Sequence, residues 1–287
     1  MSAAKITLIG GPTALIEVDG FRLLTDPTFD APGPYPLPHV TLTKTSGPAL
    51  DAAEIGPVDA VLLSHDQHAD NLDSSGRAFL ARAPRVLTTV AGAKRLGGHA
   101  QGLDPWDETE LTRGGRRLRI TATPARHGPA GIEPFAGDVI GFVLATQDGA
   151  RPIYVTGDTV WYDGVADVAR RFRAGTVLLF AGAAQTRGPF HLTMDTNDAI
   201  ETAHAFADAT IVPCPLRGLD AFHAASRRSG KIVRGARDRR PPAVARARRR
   251  DRDRAAALSG PARSQSRRNI TAASQPVSIA MAAVARP

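Results

Sequence analysis

AVLLSHDQHADNLD, residues 60–73, is the stretch on which the reading of this chain turns. An apolar run from Ala60 to Leu63 breaks into two histidines and three carboxylates within nine residues. The run is short and wholly apolar, as expected of a strand buried on both faces, and polar residues begin where such a strand would emerge. His65, Asp66, His68 and Asp70 then stand at its mouth. Imidazole nitrogen mixed with carboxylate oxygen suits zinc, manganese or iron better than calcium. Taken alone, a His-x-x-His is equally compatible with a polar surface loop.

Working outward, the same arrangement recurs. LRITATPAR predicts a strand that delivers His127, and RPIYVTG predicts one that delivers Asp158, so each candidate follows a β run. Strand ends on one side of a sheet converge, and the joint occurrence is what separates a metal site from isolated polar caps. Upstream, ITLIG, TALIEV and FRLLT read as three short strands, with Asp19-Gly20 between the last two as a hairpin signal. Residues 27–58 carry Pro32, Pro34, Pro36 and Pro38 at alternate positions and read as an extended loop, either a pocket border or a plain connector. Downstream, GRAFLARA predicts a helix, RVLTTV a strand and AGAKRLG a short helix; DVIGFVLAT and RPIYVTGDT form a hairpin; TVLLFAG, MDTNDAIETAHAFA and ATIVPC read as strand, helix and strand. This alternation implies layered α/β packing.

Charge is distributed unevenly. From Pro215 onward there are 17 Arg and one Lys against four Asp, a net of +14, so with +8 overall residues 1–214 carry −6. Cys214 is the only cysteine, which excludes a disulfide framework and a Cys-based zinc site and fits a reducing compartment. The opening MSAAKITLIGG has no charged region followed by a long apolar stretch, and no window approaches the roughly 18–20 apolar residues of a membrane span. A cytoplasmic protein acting on a small molecule is expected, with oligomeric state unassigned. No G-x-S-x-G, P-loop or dinucleotide fingerprint occurs.

With these parts together, the chain resembles the metallo-β-lactamase superfamily, in its branch of ascorbate-6-phosphate lactonase-like and N-acyl-phosphatidylethanolamine phospholipase D-like hydrolases. The resemblance runs from about residue 5 to 214 and rests on GGPTALIEVDGFRLLTDP, SHDQHADNLD, Arg126-His127-Gly128 and the TGDT of residues 156–159. It implies an αββα sandwich of the α/β class, with metals at one edge of two sheets. Against the family signature His-x-His-x-Asp-His, His65 matches the first histidine, and His68 and Asp70 match the second histidine and the aspartate. One extra residue lies between them. Asn71 stands where the family has another histidine, and an amide oxygen is a poorer zinc ligand than imidazole. Asp66 competes with His65 as first ligand, because Asp66-x-His68-x-Asp70 has the family spacing. His127 matches the third metal histidine, Asp158 the aspartate that bridges two metals, and Asp26 an aspartate that orients a ligand.

The implied chemistry is hydrolysis of an ester, lactone or phosphodiester by a metal-bound hydroxide, without a covalent intermediate. Zinc is the default metal, manganese and iron the alternatives, with one or two ions. Such a metal lowers the pKa of bound water from about 15.7 towards 7, and Asp70 would orient the hydroxide and take its proton. The departure at Asn71 leaves a second expectation, a catalytically impaired relative with a single or damaged metal site.

The family's last metal histidine follows the strand matching ATIVPC, in a segment like His-Tyr-Glu-Gly-Trp-x-His-Phe. Residues 215–223, PLRGLDAFH, look unrelated. Encoded as CCA CTA CGA GGG CTG GAC GCA TTT CAC, however, they give His-Tyr-Glu-Gly-Trp-Thr-His-Phe when the first base is dropped. Residues 1–214 therefore read as a C-terminally incomplete hydrolase domain, and 215–287 as a basic, disordered tail with the composition of a frameshifted C-terminus. A nucleic-acid-binding arm is the functional alternative for VARARRRDRDR, but Phe222 is the tail's only aromatic, so binding would be non-specific. Among the remaining residues, His191 is read as a cap or supporting group that could enter the site, with Thr193 or Asp195 capping the next helix. His39 and His99 are read as surface residues, His204 as packing, and Trp161 and Tyr162 as pocket lining or core.

Overall fold

The computed structural model describes residues 4–36, 41–186 and 188–215. The expectations for His39 and the tail beyond Pro215, including its frameshift and its disorder, lie outside the described residues. Strands β1 (Lys5–Gly10), β2 (Thr13–Val18) and β3 (Phe21–Thr25) form an antiparallel meander. Its second turn is the Asp19-Gly20 pair, with φ of 47° and 82°. Two successive left-handed residues match the twist of a two-residue hairpin, which is why Asp-Gly is favoured there.

Residues 27–58 are not wholly loop. They contain β4 (Gly33–Pro36) and β5 (Thr41–Lys44), an antiparallel two-stranded ribbon with Pro34 opposite Thr43. Proline is tolerated because a two-stranded ribbon consists only of edges, where a missing N–H need not break a ladder. The chain then enters β6 (Ala60–Leu62), α1 (Ser74–Leu80), β7 (Val86–Thr89), α2 (Val90–Leu96) and β8 (Ala100–Leu103). The strands β3, β6, β7 and β8 are parallel neighbours, completing a six-stranded sheet ordered β1-β2-β3-β6-β7-β8.

A second six-stranded sheet follows: β9 (Glu108–Arg113), β10 (Arg116–Pro124), the short helix α3 (Glu133–Ala136), β11 (Ile140–Thr146), β12 (Ile153–Val155), α4 (Asp163–Arg171), β13 (Thr176–Ala181), α5 (Thr196–Ala205) and β14 (Thr210–Pro215). Its order is β14-β13-β12-β11-β10-β9. β8, β9 and α4 have no counterpart in the sequence expectations. ETELTR is an edge strand dominated by charge, and DGVADVARR is a short helix whose apolar stripe is three valine and alanine positions wide.

Period-two alternation builds the layers. Ile16, Leu23, Leu62 and Leu87 from the first sheet meet Leu118, Ile120, Phe142, Leu144, Leu178 and Phe180 from the second in one shared core. Their neighbours Leu15, Leu24, Val61 and Val86 face outward and pack with Phe79 and Leu80 of α1. On the opposite outer face, Val143, Tyr154, Val177 and Leu179 pack with Val165 and Val168 of α4 and with Phe206, which follows α5. Helices therefore cover both outer faces, giving the expected αββα sandwich. Each fully buried Leu or Phe contributes about 1.5–3 kcal/mol, which is why the sandwich has so few exposed large apolar residues, Phe135 and Ile200 among those described.

Asp73, the last residue of the opening stretch, is a structural hub. It caps α1 by accepting from Gly76 N–H at 2.8 Å, and accepts from Phe29 N–H, Asp30 N–H, the Tyr35 hydroxyl and the Lys44 ammonium. The proline-rich ribbon is thereby tied to the end of the metal motif. At α5 the cap is Asp195, whose Oδ1 accepts from Asn197 N–H at 2.8 Å and Asp198 N–H at 2.9 Å. Asp195→Ala should lower stability by about 1 kcal/mol in a denaturant titration, the usual cost of losing a helix N-cap. One minor histidine differs from expectation: His204 is exposed on α5 because its face of the helix points to solvent; His99 is exposed as expected, with Nε2 donating to the Leu80 carbonyl at 3.0 Å. Among the described residues, no helix is long and apolar enough to cross a membrane.

Candidate metal centre

Strand direction places the candidates at one edge. β3 and β6 are parallel, so their C-terminal ends lie side by side and carry Asp26 and the Ser64–His65 step. β10 and β12 are each antiparallel to β11 and therefore share a direction; their ends lead to His127 and Asp158. The two sheets are joined at this edge by Ile140 N–H donating to the Ser64 carbonyl at 3.1 Å. Asp26 fixes the same point from the other side, accepting Ser64 N–H at 2.7 Å on Oδ1. It is buried in the left-handed region at φ 27°, with its carbonyl held by the Thr13 hydroxyl at 2.7 Å.

Three imidazoles converge there. His65 Nε2 lies 2.9 Å from His68 Nδ1, and His127 Nε2 lies 3.2 Å from the same atom. The ligand atoms of all three lie within 4.8 Å of one another. His127 Nδ1 is 2.9 Å from the Leu192 carbonyl. A carbonyl only accepts, so the proton sits on Nδ1 and Nε2 turns a lone pair towards the cluster. His65 Nδ1 contacts the Ser64 hydroxyl at 2.9 Å, leaving Nε2 for the cluster. Burial, reinforced by the neighbouring His68 and His127, holds the His65 pKa well below the usual imidazole range. Neutral, mutually facing imidazoles are the form in which a cation is bound.

Asp158 and Asp70 do not join that cluster; with Asp26 they form a separate group of acids at the same edge. Asp158 is 1% exposed, and its Oδ1 has no hydrogen-bond partner. Burial, with Asp70 nearby, pushes its carboxyl up to about 8. Burial and then Asp158 likewise raise Asp26. Asn71 is fully buried, and neither its Oδ1 nor its Nδ2 makes a hydrogen bond of normal geometry, although the amide lies close enough to Asp158 to counter part of that rise. Each unpartnered buried polar group costs on the order of 1–3 kcal/mol, so the buried Asp158 oxygen and Asn71 amide call for partners that the surrounding side chains do not supply. The donor set of three imidazole nitrogens fits a zinc-like divalent metal.

Other expected residues sit elsewhere. Asp66 does not join the histidine cluster; its carboxylate is gripped by Arg95, with Arg95 Nη2 2.6 Å from Oδ1 and Nε 2.9 Å from Oδ2. His191 pairs through Nδ1 with Asp195 Oδ2 at 3.2 Å, and it is the next residue's carbonyl that reaches His127. Trp161 and Tyr162 pack against the outer core, with the Arg126 guanidinium 4.3 Å from the Tyr162 ring centre. Sequence reasoning missed Ser64, Leu192 and Arg95. Ser64 was readable as part of the motif; a supporting backbone carbonyl at Leu192 leaves no trace in side-chain identity.

The fold and the edge cluster define an αββα metallo-β-lactamase sandwich. Residues 21–214 match the family model described as a beta-lactamase superfamily domain, and the chain belongs to that superfamily. It is 25% identical over 221 residues to the UPF0173 protein YddR of Bacillus subtilis, covering 72% of this chain and 84% of that one. It is 26% identical over 193 residues to a UPF0173 metal-dependent hydrolase of Methanopyrus kandleri, covering 64% and 75% respectively. Among solved structures, an isothiocyanate hydrolase from Delia radicum gut bacteria superposes with a TM-score of 0.67 at 23% identity, over 80% of this chain and 92% of that chain. A possible metal-dependent hydrolase from Veillonella parvula gives the same TM-score at 18% identity, over 83% and 95%. Identities this low speak for a shared fold.

Proposed function

We propose that this chain is a metal-dependent hydrolase acting on an ester, lactone or phosphodiester, with His65, His68 and His127 holding its principal metal. The observation that carries this reading is the convergence of three imidazole nitrogens at the edge where the two sheets are joined. The names of relatives such as the Methanopyrus kandleri hydrolase support it. When bound, a divalent metal supplies Lewis acidity towards the carbonyl or phosphoryl oxygen and lowers the pKa of a water molecule to near 7. The chain's own groups do the rest. Ser64 and the Leu192 carbonyl orient His65 and His127 through their Nδ1 atoms. Asp26 holds the backbone at Ser64, where the two sheets meet. Asp70, half-buried and near Asp158, would orient the attacking water and accept its proton.

A second ion would rest on Asp158, Asp70 and the Asn71 amide oxygen, a harder and weaker donor set for zinc than imidazole. Metal analysis of the purified protein should therefore find close to one tightly held equivalent of zinc, with further metal removed by mild dialysis. Two equivalents that survive dialysis would contradict this ranking. The function itself is tested by assaying a panel of lactones, esters and phosphodiesters before and after chelation, then with zinc, manganese or iron restored. Hydrolysis that is lost on chelation and recovered with metal supports the proposal; turnover that persists in the metal-free protein overturns it.

A further inference from the structure

The loop that joins the first two histidines is held almost entirely by side chains. Among the described residues, positions 65–67 make no backbone–backbone hydrogen bond; the ladder ends at Ser64, and the next bonds converge on the His68 carbonyl from Asn71 and Leu72 N–H. Yet this loop must turn so that His68 Nδ1 returns to within 2.9 Å of His65 Nε2, with two residues rather than one between the histidines. The strongest restraint on it is at Asp66. Its side chain is 4% exposed, and Arg95 grips both of its oxygens from α2. Arg77 adds a longer contact, its Nη2 3.5 Å from the Asp66 carbonyl.

The partner helix is shaped for this contact. α2 begins directly after β7, capped by Thr89 Oγ1 accepting Gly92 N–H at 2.9 Å. A Cβ on Gly92 would lie 3.0 Å from Asp66 Oδ1 and 2.9 Å from Thr89 Oγ1, so glycine lets the carboxylate sit against the helix. A bidentate guanidinium–carboxylate pair fixes both distance and plane, which a lysine ammonium cannot do.

We propose that Arg95 is a positioning residue for the metal centre: by clamping Asp66 it holds the 65–68 loop in the turn that brings His65 and His68 onto one ion. The inference rests on the metal-binding role of the histidines given above. It assigns Asp66 a role other than ligand, because its carboxylate faces Arg95 and lies outside the histidine cluster. Outer residues that orient ligands typically change metal affinity by about 10–100-fold, and that is the loss expected here.

The test is a set of variants of the full chain, with zinc affinity read by competition with a chromophoric chelator and coordination read from the visible spectrum of the cobalt-loaded protein. Arg95→Ala should weaken zinc binding by about 10–100-fold and alter the cobalt bands. Arg95→Lys keeps the charge but not the fork and should recover only part of the affinity. Arg95→Ala strands a buried carboxylate and can impair folding, so the double variant Arg95→Ala with Asp66→Asn, which removes that charge, is measured alongside. It should bind no better than Arg95→Ala. Arg113→Ala, which breaks the partly exposed Arg113–Asp59 pair at the start of β6, the end of that strand away from His65, should leave affinity and spectrum unchanged. Variants that melt earlier but bind zinc with wild-type affinity and spectrum, or a double variant restored to wild-type affinity, would overturn the inference. A wild-type chain that binds no metal would overturn the metal reading and this inference together.

Discussion

His127→Ala is expected to weaken zinc binding by at least ~100-fold, beyond the range associated with losing a supporting hydrogen bond alone. His127 comes from the second sheet, whereas His65 and His68 both follow β6 of the first. It is therefore the imidazole that makes the centre span the sandwich. Its Nδ1 proton is committed to the Leu192 carbonyl, so the ring cannot swing away without breaking that bond, and Nε2 is pre-set towards His68. The fold should tolerate the loss, because three mutually facing nitrogens at 2.9 and 3.2 Å gain little from one another without a cation. Chelator competition reads the affinity and circular dichroism reads the fold. Near-normal zinc affinity in a folded His127→Ala protein would remove His127 from the ligand set.

Gly157→Ala should destabilise the chain by about 2–4 kcal/mol, the sum of left-handed backbone strain and a contact that cannot relax locally. Gly157 has φ 63°, and an added Cβ would meet the Ile140 carbonyl oxygen at 2.6 Å and Ser64 Cβ at 3.1 Å. Those neighbours are the two ends of the hydrogen bond that joins the sheets, so neither can yield without opening the seam. For a domain of this size the change corresponds to a fall in Tm of roughly 4–16 °C. The next residue is Asp158, so the same substitution should also weaken metal binding. An unchanged melting temperature would show that the seam is more compliant than its geometry suggests.

Much of this architecture was legible because its signals are strong and local. AVLLS breaking into HDQHAD marks a buried strand opening into ligands, and Asp19-Gly20 marks a hairpin turn that the φ values bear out. The strand-then-ligand repetition at His65, His127 and Asp158 anticipated three positions at one edge, since β3, β6, β10 and β12 all end there. Elements with weak signals were lost. The charged edge strand β9 shows no apolar alternation, and the ribbon β4–β5 hides in a proline-rich segment whose order comes from Asp73 rather than from its own residues.

At the site, what could not be read was partnership. Asp66 has the spacing of a ligand, and only the placement of α2 beside the loop shows that Arg95 takes both of its oxygens. His191 has the chemistry of a ligand, yet it pairs with Asp195 while the backbone of Leu192 serves His127. In both cases sequence supplied the residue type and tertiary packing chose the role. Asn71 is the converse: its amide was visible at once in the motif, but its burial with neither amide atom in a hydrogen bond of normal geometry was not.

The central claim is that three imidazoles, from His65, His68 and His127, hold the principal metal. X-ray absorption at the zinc edge of the protein carrying one equivalent of metal tests it most directly. The account predicts a shell of nitrogen or oxygen neighbours at about 2.0–2.1 Å, with outer-shell scattering of three imidazole rings that drops to two in His127→Ala. A shell with no imidazole scattering, or one unchanged by that substitution, would contradict it.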